Sequence, residues 1–355
     1  LEAIRQFRQD VGRENAIFVH LTLVPFITAA GELKTKPTQH SVRELMQIGI
    51  QPHVLICRSE HPLSDEIRRK IALFTNVEID GVIEARDVET IYEVPLSLKK
   101  QRLDDVIAER LGLDLPQPDM TSWTAMVNRV KHPSAGTAKI AVVGKYTDHI
   151  DSYKSIQESL IHGGIANDVK ADIHWLSSEV FDNGEGVEKL KEYDGLLIPG
   201  GFGPRGVEGM LETIRWAREN QMPFFGICLG LQCAVIEFAR NVCGLEGSHS
   251  SEFAEASPDP VICLLDSQLQ GTTMGGTMRL GAYPCALGEG TKAREIYGVD
   301  EISERHRHRF EVNNEYRDLL TDNGMTISGT SPDGGLVEMI ELTEHPWFVA
   351  GQFHP

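Results

Sequence analysis

The sequence predicts an α/β protein of two domains, and three observations carry that prediction. Apolar runs of strand length alternate with helix-length segments along most of the chain. A polar, proline-bearing stretch, LDLPQPDMTSW at 113–123, is followed by a second loop-like run, KHPSAGT at 131–137. Beyond it a new series opens on a buried-strand pattern, TAKIAVVGKY at 137–146.

Taken in order, NAIFVHLTLVPFI (15–27) and PHVLICRS (52–59) read as strands, with a helix at about 39–48 between them. A further helix at about 62–73 and a short strand near 81–84 complete part of a parallel-sheet domain. Residues 113–137, with one short helix inside, read as an interdomain linker. The second series continues with a helix at 152–162, a strand at 170–176 and the glycine-rich DGLLIPGGFGPRG at 194–206. PFFGICLGLQCAVIEFA at 223–239 then reads as strand, tight corner and helix, and β-rich sequence dominates to about 310.

At 355 residues and 41% hydrophobic, the chain is long enough for two cores. A net charge of −18 argues against non-specific binding to nucleic acid or an anionic membrane, though not against nucleotides in a local basic pocket. Cys57, Cys228, Cys233, Cys243, Cys263 and Cys285 form no CxxC pair, and several sit in apolar runs, the pattern of free thiols in a reducing compartment. No stretch approaches the ~20 apolar residues of a membrane span, and no signal peptide heads the chain. A cytoplasmic location is the expectation. The chain starts without Met and stops at GQFHP, so it is expected to be part of a longer protein.

Cys228 sits at the tip of the strand-to-helix corner, between Gly226 and Gly230. A thiol nucleophile works as thiolate, so the corner is expected to expose the side chain and to lower its pKa through the helix N-terminus. The two glycines permit a strained backbone, as in the G-x-S-x-G elbow, and the Leu229 amide would face a developing oxyanion. The same spacing also fits a buried cysteine in an ordinary glycine-containing turn. IPGGFG at 198–203 offers backbone N–H groups for an oxyanion hole, or makes a plain tight turn. His354 follows the strand-like WFVAGQF, where it can serve as a base beside the thiol or as a structural histidine.

Together PGGFG, GICLGLQ and QFHP, in this order, resemble the class I (triad) glutamine amidotransferases. The resemblance implies that Cys228 attacks the glutamine carboxamide and that His354 acts as base and then acid. In that family a Glu two residues after the His orients it; this chain ends at Pro355. Gly201 and Leu229 would be the oxyanion donors. Gly201, Phe202, Leu229, Gln232, Glu252 of HSSEF and Arg309 of RHRHRF would bind glutamine.

GELKTKPTQHSVRELMQIGIQP at 31–52 suggests which acceptor the ammonia meets. Lys34 and Lys36 lie beside a helix start that Thr38 and Gln39 are expected to cap and open. That arrangement suits a polyphosphate, or is a solvated basic loop. With VHLTLVPF, ICRS, KIALFTNV, GKYTDHIDSYKS, GFGPRGVEGM, HSSEF, GGTMRLG and ERHRHRFEVNN, it resembles the CTP synthase family over essentially the whole chain.

That resemblance implies the C-terminal part of a P-loop-type synthetase (amidoligase) α/β domain at 1–112. A linker at 113–137 and an amidotransferase α/β domain with a largely parallel central sheet at 138–355 would follow. Lys34, Lys36, Gln39 and Lys70 would contact UTP as substrate or CTP as feedback inhibitor. Arg58 and Asp87 would bind ATP, and Arg205 and Glu208 the allosteric activator GTP. Mg2+ would accompany ATP through ligands outside this chain, since no residue here is assigned to a metal and no G-x-x-x-x-G-K-[ST] occurs in the 355 residues. The family forms homotetramers and, in some members, filaments. Two other readings stay open: another glutamine-dependent synthetase, such as one making GMP, and a non-catalytic nucleotide-sensing or filament-forming scaffold.

Overall fold

In the computed structural model, which describes residues 1–147, 149–264 and 278–355, the chain forms two compact units, Leu1–His132 and Pro133–Pro355. Asp148 of GKYTDHIDSYKS and Gly275, Gly276 and Thr277 of GGTMRLG lie outside the described residues.

The first unit opens with helix α1 (Glu2–Val11) and carries a three-stranded parallel sheet in the order β1 (Val19–Leu23), β4 (Val54–Ser59), β5 (Val82–Arg86). Residues 15–27, expected as one strand, are broken. A 3-10 turn at Arg13–Asn15 precedes β1, and Pro25, which has no N–H to give a ladder, separates β1 from the two-residue β2 (Phe26–Ile27). β2 pairs antiparallel with β3 (Glu32–Leu33). Helix α2 (Lys36–Gln47) crosses from β1 towards β4, and α3 (Asp65–Thr75) crosses from β4 to β5. Central β4 is covered on both faces: Leu55 and Cys57 pack with Val42, Ile71 and Val82, while Val54 packs with Ile83 and Val106. Two-sided burial is why its sequence is a continuous apolar run rather than an alternating one.

The start of α2 differs from expectation. Thr35 occupies the N-cap and Pro37 lies in the first turn, where a missing N–H costs nothing. Thr38 is inside the helix, fully buried, and its hydroxyl donates to the Leu23 carbonyl at 3.0 Å. α3 starts on the Ser64 cap, whose hydroxyl accepts from the Ile67 N–H at 3.3 Å, and ends at Asn76 in left-handed backbone. After α4 (Val94–Lys100) and α5 (Leu103–Leu111), helix α6 (Thr121–Lys131) lies in the stretch expected to be linker. It is tied into the first unit, with Trp123 Nε1 donating to the Tyr92 carbonyl at 2.8 Å and Lys131 pairing with Glu93 at 3.1 Å.

The second unit is built on a nine-stranded sheet. Its parallel half orders β17 (Phe348–Gly351), β9 (Phe224–Ile227), β8 (Gly195–Ile198), β6 (Thr137–Gly144) and β7 (Lys170–Ser177). Beyond β17, antiparallel pairings add β16 (Val337–Leu342), β15 (Met325–Thr330), β12 (Arg279–Leu287) and β13 (Glu301–His308). A small separate sheet joins β10 (Ser248–Ser250), β11 (Asp259–Cys263) and β14 (Glu311–Val312). Helix α7 (Lys154–Asn167) links β6 to β7, α8 (Val207–Glu219) links β8 to β9, and α9 (Leu229–Asn241) leaves β9.

The main core lies between this sheet and α8 and α9, where Ile198, Met210, Ile214, Leu231 and Ile236 are buried and the Phe224 and Phe348 rings meet at 4.3 Å. Each such side chain contributes roughly 1.5–3 kcal/mol by leaving water. Every residue of α9 from Leu229 to Ala239 is buried. Its one carboxylate there, Glu237, is met by the Arg218 guanidinium at 2.7 and 3.0 Å, as a buried charge requires.

Candidate active site

The ends of the parallel strands assemble the site. β9 hands the chain to α9 through Cys228, whose φ of 54° is rare for any residue but glycine. The corner is tight enough that its flanking glycines are obligatory. A Cβ on Gly230 would fall 2.2 Å from the Ile198 carbonyl oxygen, and one on Gly226 would fall 2.9 Å from the Ala350 Cβ. The Cys228 amide donates to the Gly351 carbonyl at 2.7 Å, so the nucleophile's backbone is pinned to the neighbouring strand.

The thiol departs from expectation in one respect. Cys228 is only 3% exposed, and burial pushes its pKa up to about 12 despite the opposing Leu229 amide. Glu311 adds to the rise and Gln352 opposes it. The helix terminus does act in the anticipated direction, but removal from water outweighs it.

β17 lies parallel to β9 with Gly351 opposite Ile227, so the chain leaving β17 carries His354 to the place where Cys228 emerges. The His354 amide donates to the Arg305 carbonyl at 2.8 Å, which anchors the residue to β13. Burial and then Arg305, with further cationic neighbours, lower its imidazole to about 4. Its Nε2 is buried without a hydrogen-bond partner among the described residues. Gly200 fills the gap between the two residues: a Cβ there would lie 2.7 Å from His354 Cε1 and 3.5 Å from Cys228 Cβ. Gly200, Gly201, Cys228 and His354 all line one cavity of about 600 Å3.

A smaller pocket of about 100 Å3 also borders Cys228. It gathers the residues expected to hold glutamine: Gly201, Phe202, Gln232, Glu252 and Arg309. Leu229, by contrast, is 1% exposed and offers the site only its backbone. The Gln232 amide group donates to the Phe310 carbonyl at 2.9 Å and to Gln352 Oε1 at 3.3 Å. Glu252 Oε1 accepts from the Gly203 N–H at 3.1 Å.

Two features in and beside this pocket escaped the sequence. His308 lines it, with Nε2 2.8 Å from Glu311 Oε1. Behind it, Arg279 spans Glu311 at 3.3 Å and Glu338 at 2.7 Å, and Glu338 meets His306 at 2.8 Å. This network ties β12, β13, β14 and β16 together. The other is Lys145, which follows β6, is 5% exposed, and donates through Nζ to the carbonyls of Phe202 and Gly203. The sequence signals for Lys145 were its place directly after a buried strand ending in glycine and within the GKYTDHIDSYKS match, and neither gave it a role.

Arg205 and Glu208 point to different partners. Arg205 binds Glu179 at 3.1 Å and the Lys145 carbonyl at 2.7 Å. Glu208 is bound by Arg240 at 2.8 Å, and His249 stands 3.6 Å away. His249 and, against the cost of burial, Arg240 hold the Glu208 carboxyl down at about 2.

In the first unit, Arg58 at the end of β4 donates through Nε to Asp87, just past β5, at 3.2 Å. Carboxyl ends of adjacent parallel strands are where α/β sheets receive ligands. Lys34 pairs with Glu32, and Lys70 of α3 is close enough to help lower the Glu32 carboxyl, after the contact with Lys34 itself. Lys36 opens α2, and Gln39 Nε2 donates to Thr35 Oγ1 at 3.1 Å. Lys34, Lys36 and Gln39 therefore cluster at one helix start, with Lys70 in electrostatic reach of Glu32. Among the described residues, no group of three or more His, Cys, Asp or Glu is arranged to hold a metal, and no helix is long and apolar enough to cross a membrane.

Comparison with known proteins agrees with both halves of the chain. Residues 1–113 match the family model for the CTP synthase N-terminus, and residues 148–355 match that for class-I glutamine amidotransferase. The CTP synthases of Geobacillus kaustophilus and Methanocaldococcus jannaschii are each 55% identical to it, covering 100% of this chain and 67% of the relative. A Clostridium perfringens CTP synthase is likewise 55% identical, with 66% of its length covered, so the chain spans about two thirds of the curated relatives it matches. Among solved structures, the glutaminase domain of Trypanosoma brucei CTPS with bound acivicin aligns with a TM-score of 0.58 and 37% identity. That alignment covers 61% of this chain and 86% of the other. The chain therefore belongs to the CTP synthase family of glutamine-hydrolysing ligases, and its second unit is a class-I glutamine amidotransferase domain.

Proposed function

We propose that the second unit hydrolyses glutamine at Cys228 and that the ammonia serves ATP-dependent amination of UTP to CTP. The observation that carries the glutaminase step is the convergence of Cys228, His354 and Gly201 on one cavity, with a second, smaller pocket beside the thiol lined by Gln232, Glu252 and Arg309. The buried thiol and imidazole are both neutral at rest, which favours proton transfer to His354 as sulfur attacks over a standing ion pair.

In this reading Cys228 Sγ bonds to the side-chain carbonyl carbon of glutamine, and its proton passes to His354. The Gly201 and Leu229 amides hold the resulting oxyanion. His354 returns the proton to the leaving nitrogen as the C–N bond breaks, releasing ammonia and leaving a thioester. Water then cleaves the thioester, giving glutamate and the free thiol. Phe202, Gln232, Glu252 and Arg309 orient the substrate, with Arg309 suited to the α-carboxylate and Glu252 to the α-ammonium group.

At the acceptor site ATP phosphorylates the uracil 4-oxygen, and ammonia displaces phosphate at C4. Lys34, Lys36, Gln39 and Lys70 would take the pyrimidine nucleotide, UTP or the inhibitor CTP, and Arg58 with Asp87 would take ATP. Magnesium neutralises ATP phosphates in such transfers, but the described residues offer it no ready ligand cluster, so no step here is assigned to it. GTP activation through Arg205 and Glu208, a homotetrameric or filamentous assembly and a cytoplasmic location complete the proposal.

The test is Cys228→Ala in the full-length protein. Glutamine-dependent CTP formation should vanish while ammonia-dependent formation persists. Loss of both in a folded variant would contradict the two-site scheme. Failure of wild-type Cys228 to react with an electrophilic glutamine analogue would favour the scaffold reading instead.

A further inference from the structure

We propose that Lys145 is a positioning residue for glutamine hydrolysis, bracing the Gly201–Gly203 loop so that the Gly201 amide faces the oxyanion. The inference rests on the glutaminase reading above and concerns a residue to which that reading gives no part.

The loop needs a brace. Gly200, Gly201 and Gly203 carry no side chains to restrict their peptides, and Gly203 takes a φ of 77°. Glycine runs of this kind lose more conformational entropy on ordering than any other sequence. A donor helps a transition state only if its peptide plane is already set when charge develops.

Lys145 sets it from below. Its Nζ donates to the Gly203 carbonyl and, at 3.4 Å, to the Phe202 carbonyl. The N–H of that same Phe202–Gly203 peptide donates to Glu252 Oε1 at 3.1 Å. One peptide dipole is thus held at its oxygen by an ammonium and at its nitrogen by a carboxylate, which fixes its rotation more firmly than either contact alone. One peptide earlier, the Phe202 N–H donates to the Tyr146 hydroxyl at 3.4 Å.

Lys145 is itself fixed. The Tyr153 hydroxyl accepts the Lys145 and Tyr146 N–H groups at 3.0 and 3.2 Å, and the Phe253 ring lies 5.4 Å from Nζ. A Cβ on Gly201 would sit 3.3 Å from Lys145 Cδ, so the lysine stem is also the floor on which Gly201 rests. Burial pulls the ammonium below the ordinary lysine value, with Cys233 and Glu252 opposing. A cation kept at this cost in a nearly dry place needs a reason beyond solubility, and the carbonyls of the loop are its hydrogen-bond partners.

The experiment compares Lys145→Met with wild type in the full-length protein. Methionine keeps the length and apolar stem while removing every donor. The expected result is a fall in glutaminase kcat of roughly 10- to 100-fold, part of the ~10²–10³ that loss of an oxyanion donor costs. KM should move less than about threefold, and iodoacetamide should alkylate Cys228, read by peptide mass spectrometry, within about twofold of the wild-type rate. Alkylation needs the thiol but no oxyanion hole, so a general collapse of the site would change it too. A wild-type kcat in a folded Lys145→Met overturns the inference while leaving the glutaminase reading intact. Absence of turnover in the wild type overturns that reading first. Should Lys145→Met not fold, Lys145→Arg keeps the charge but cannot place one nitrogen under both carbonyls. Its kcat should fall at unchanged KM, and an unchanged kcat means that holding both carbonyls on one nitrogen does not matter to turnover and ends the proposal.

Discussion

His354 lies against Gly200 so closely that a Cβ on the glycine would stand 2.7 Å from the ring's Cε1. The same added carbon would be 3.5 Å from Cys228 Cβ, so Gly200 is the space through which base and nucleophile approach. Gly200→Ala is therefore expected to displace the imidazole by some tenths of an ångström or more. Glutaminase kcat should fall roughly 10- to 100-fold, since misplacing a catalytic group by about 1 Å costs ~10²-fold. Steady-state kinetics alongside a thermal melt check this, and a folded variant with wild-type kcat would refute it.

Gly230 makes a different prediction, because its neighbour is backbone. A Cβ there would meet the Ile198 carbonyl oxygen at 2.2 Å and could be relieved only by moving α9 away from β8. Gly230→Ala should destabilise the second unit by about 1–3 kcal/mol or more, the range for overpacking a dense core. Urea unfolding followed on the full chain measures it, and an unchanged midpoint would mean the helix can shift freely.

Arg279 offers a test of the buried charges behind the pocket. It alone neutralises both Glu311 and Glu338 among the arginines and lysines in the described ion pairs. Burial by itself would raise the Glu338 carboxyl, yet His306 and Arg279 together hold it below the ordinary value. Arg279→Met should cost roughly 3–5 kcal/mol, because two buried carboxylates lose their counter-charge. Lowering the pH should then narrow the gap between variant and wild type. Glu338 protonates more readily without Arg279, whereas in the wild type its stabilising contribution is lost only as pH falls below 4.5.

Much of this architecture was legible in the sequence for one physical reason. Parallel strands buried on both faces must be written as apolar runs, so VLIC, IAVVG and FFGI announced β4, β6 and β9 directly. The G-x-C-x-G corner was legible because its glycines answer local steric demands, at Ile198 and Ala350, that recur wherever a strand turns sharply into a helix. What the sequence hid depends on partners distant along the chain. The burial of Cys228 comes from β17 and the Gly200 loop, and it reverses the expected thiol pKa. Lys145 finds its carbonyls more than fifty positions away, at Phe202 and Gly203. The Arg279 network spans four strands. At α2, Thr38 was expected to cap the helix, yet Pro37 in the first turn is compatible with the helix having already begun at Lys36.

The pH dependence of hydrolysis follows from His354. Burial and then Arg305 lower its folded value to about 4, against 6.5 in the unfolded chain. A neutral imidazole is needed to accept the thiol proton, so kcat/KM for the protein of this sequence should hold its level well below pH 6.5. It should fall only as pH approaches about 4. Stability moves in the same direction. Between 6.5 and 4 the unfolded ring binds a proton that the folded ring refuses, so this contribution, present above 6.5, is lost as pH falls. A pH–rate profile with its acid limb centred at 6.5 or higher would contradict the assignment.

Cys228 supplies the last prediction, because its backbone and its side chain make opposite demands. With φ at 54° and ψ at −101°, the residue occupies a region that costs of order 1–3 kcal/mol for any side chain bearing a Cβ. Cys228→Ala keeps that strain and removes the sulfur. Cys228→Gly removes both, at an entropic penalty of roughly 0.5–1 kcal/mol from the freer unfolded chain. The strain relieved exceeds or equals that penalty over most of its range. The glycine variant should therefore melt at or above the alanine variant, reversing the order found at ordinary strand and helix positions. Both should be inactive with glutamine. Paired thermal melts decide the matter: an alanine variant clearly more stable than the glycine one would mean that the corner is relaxed, and that the positive φ at Cys228 stores no energy for the reaction to be worth its retention.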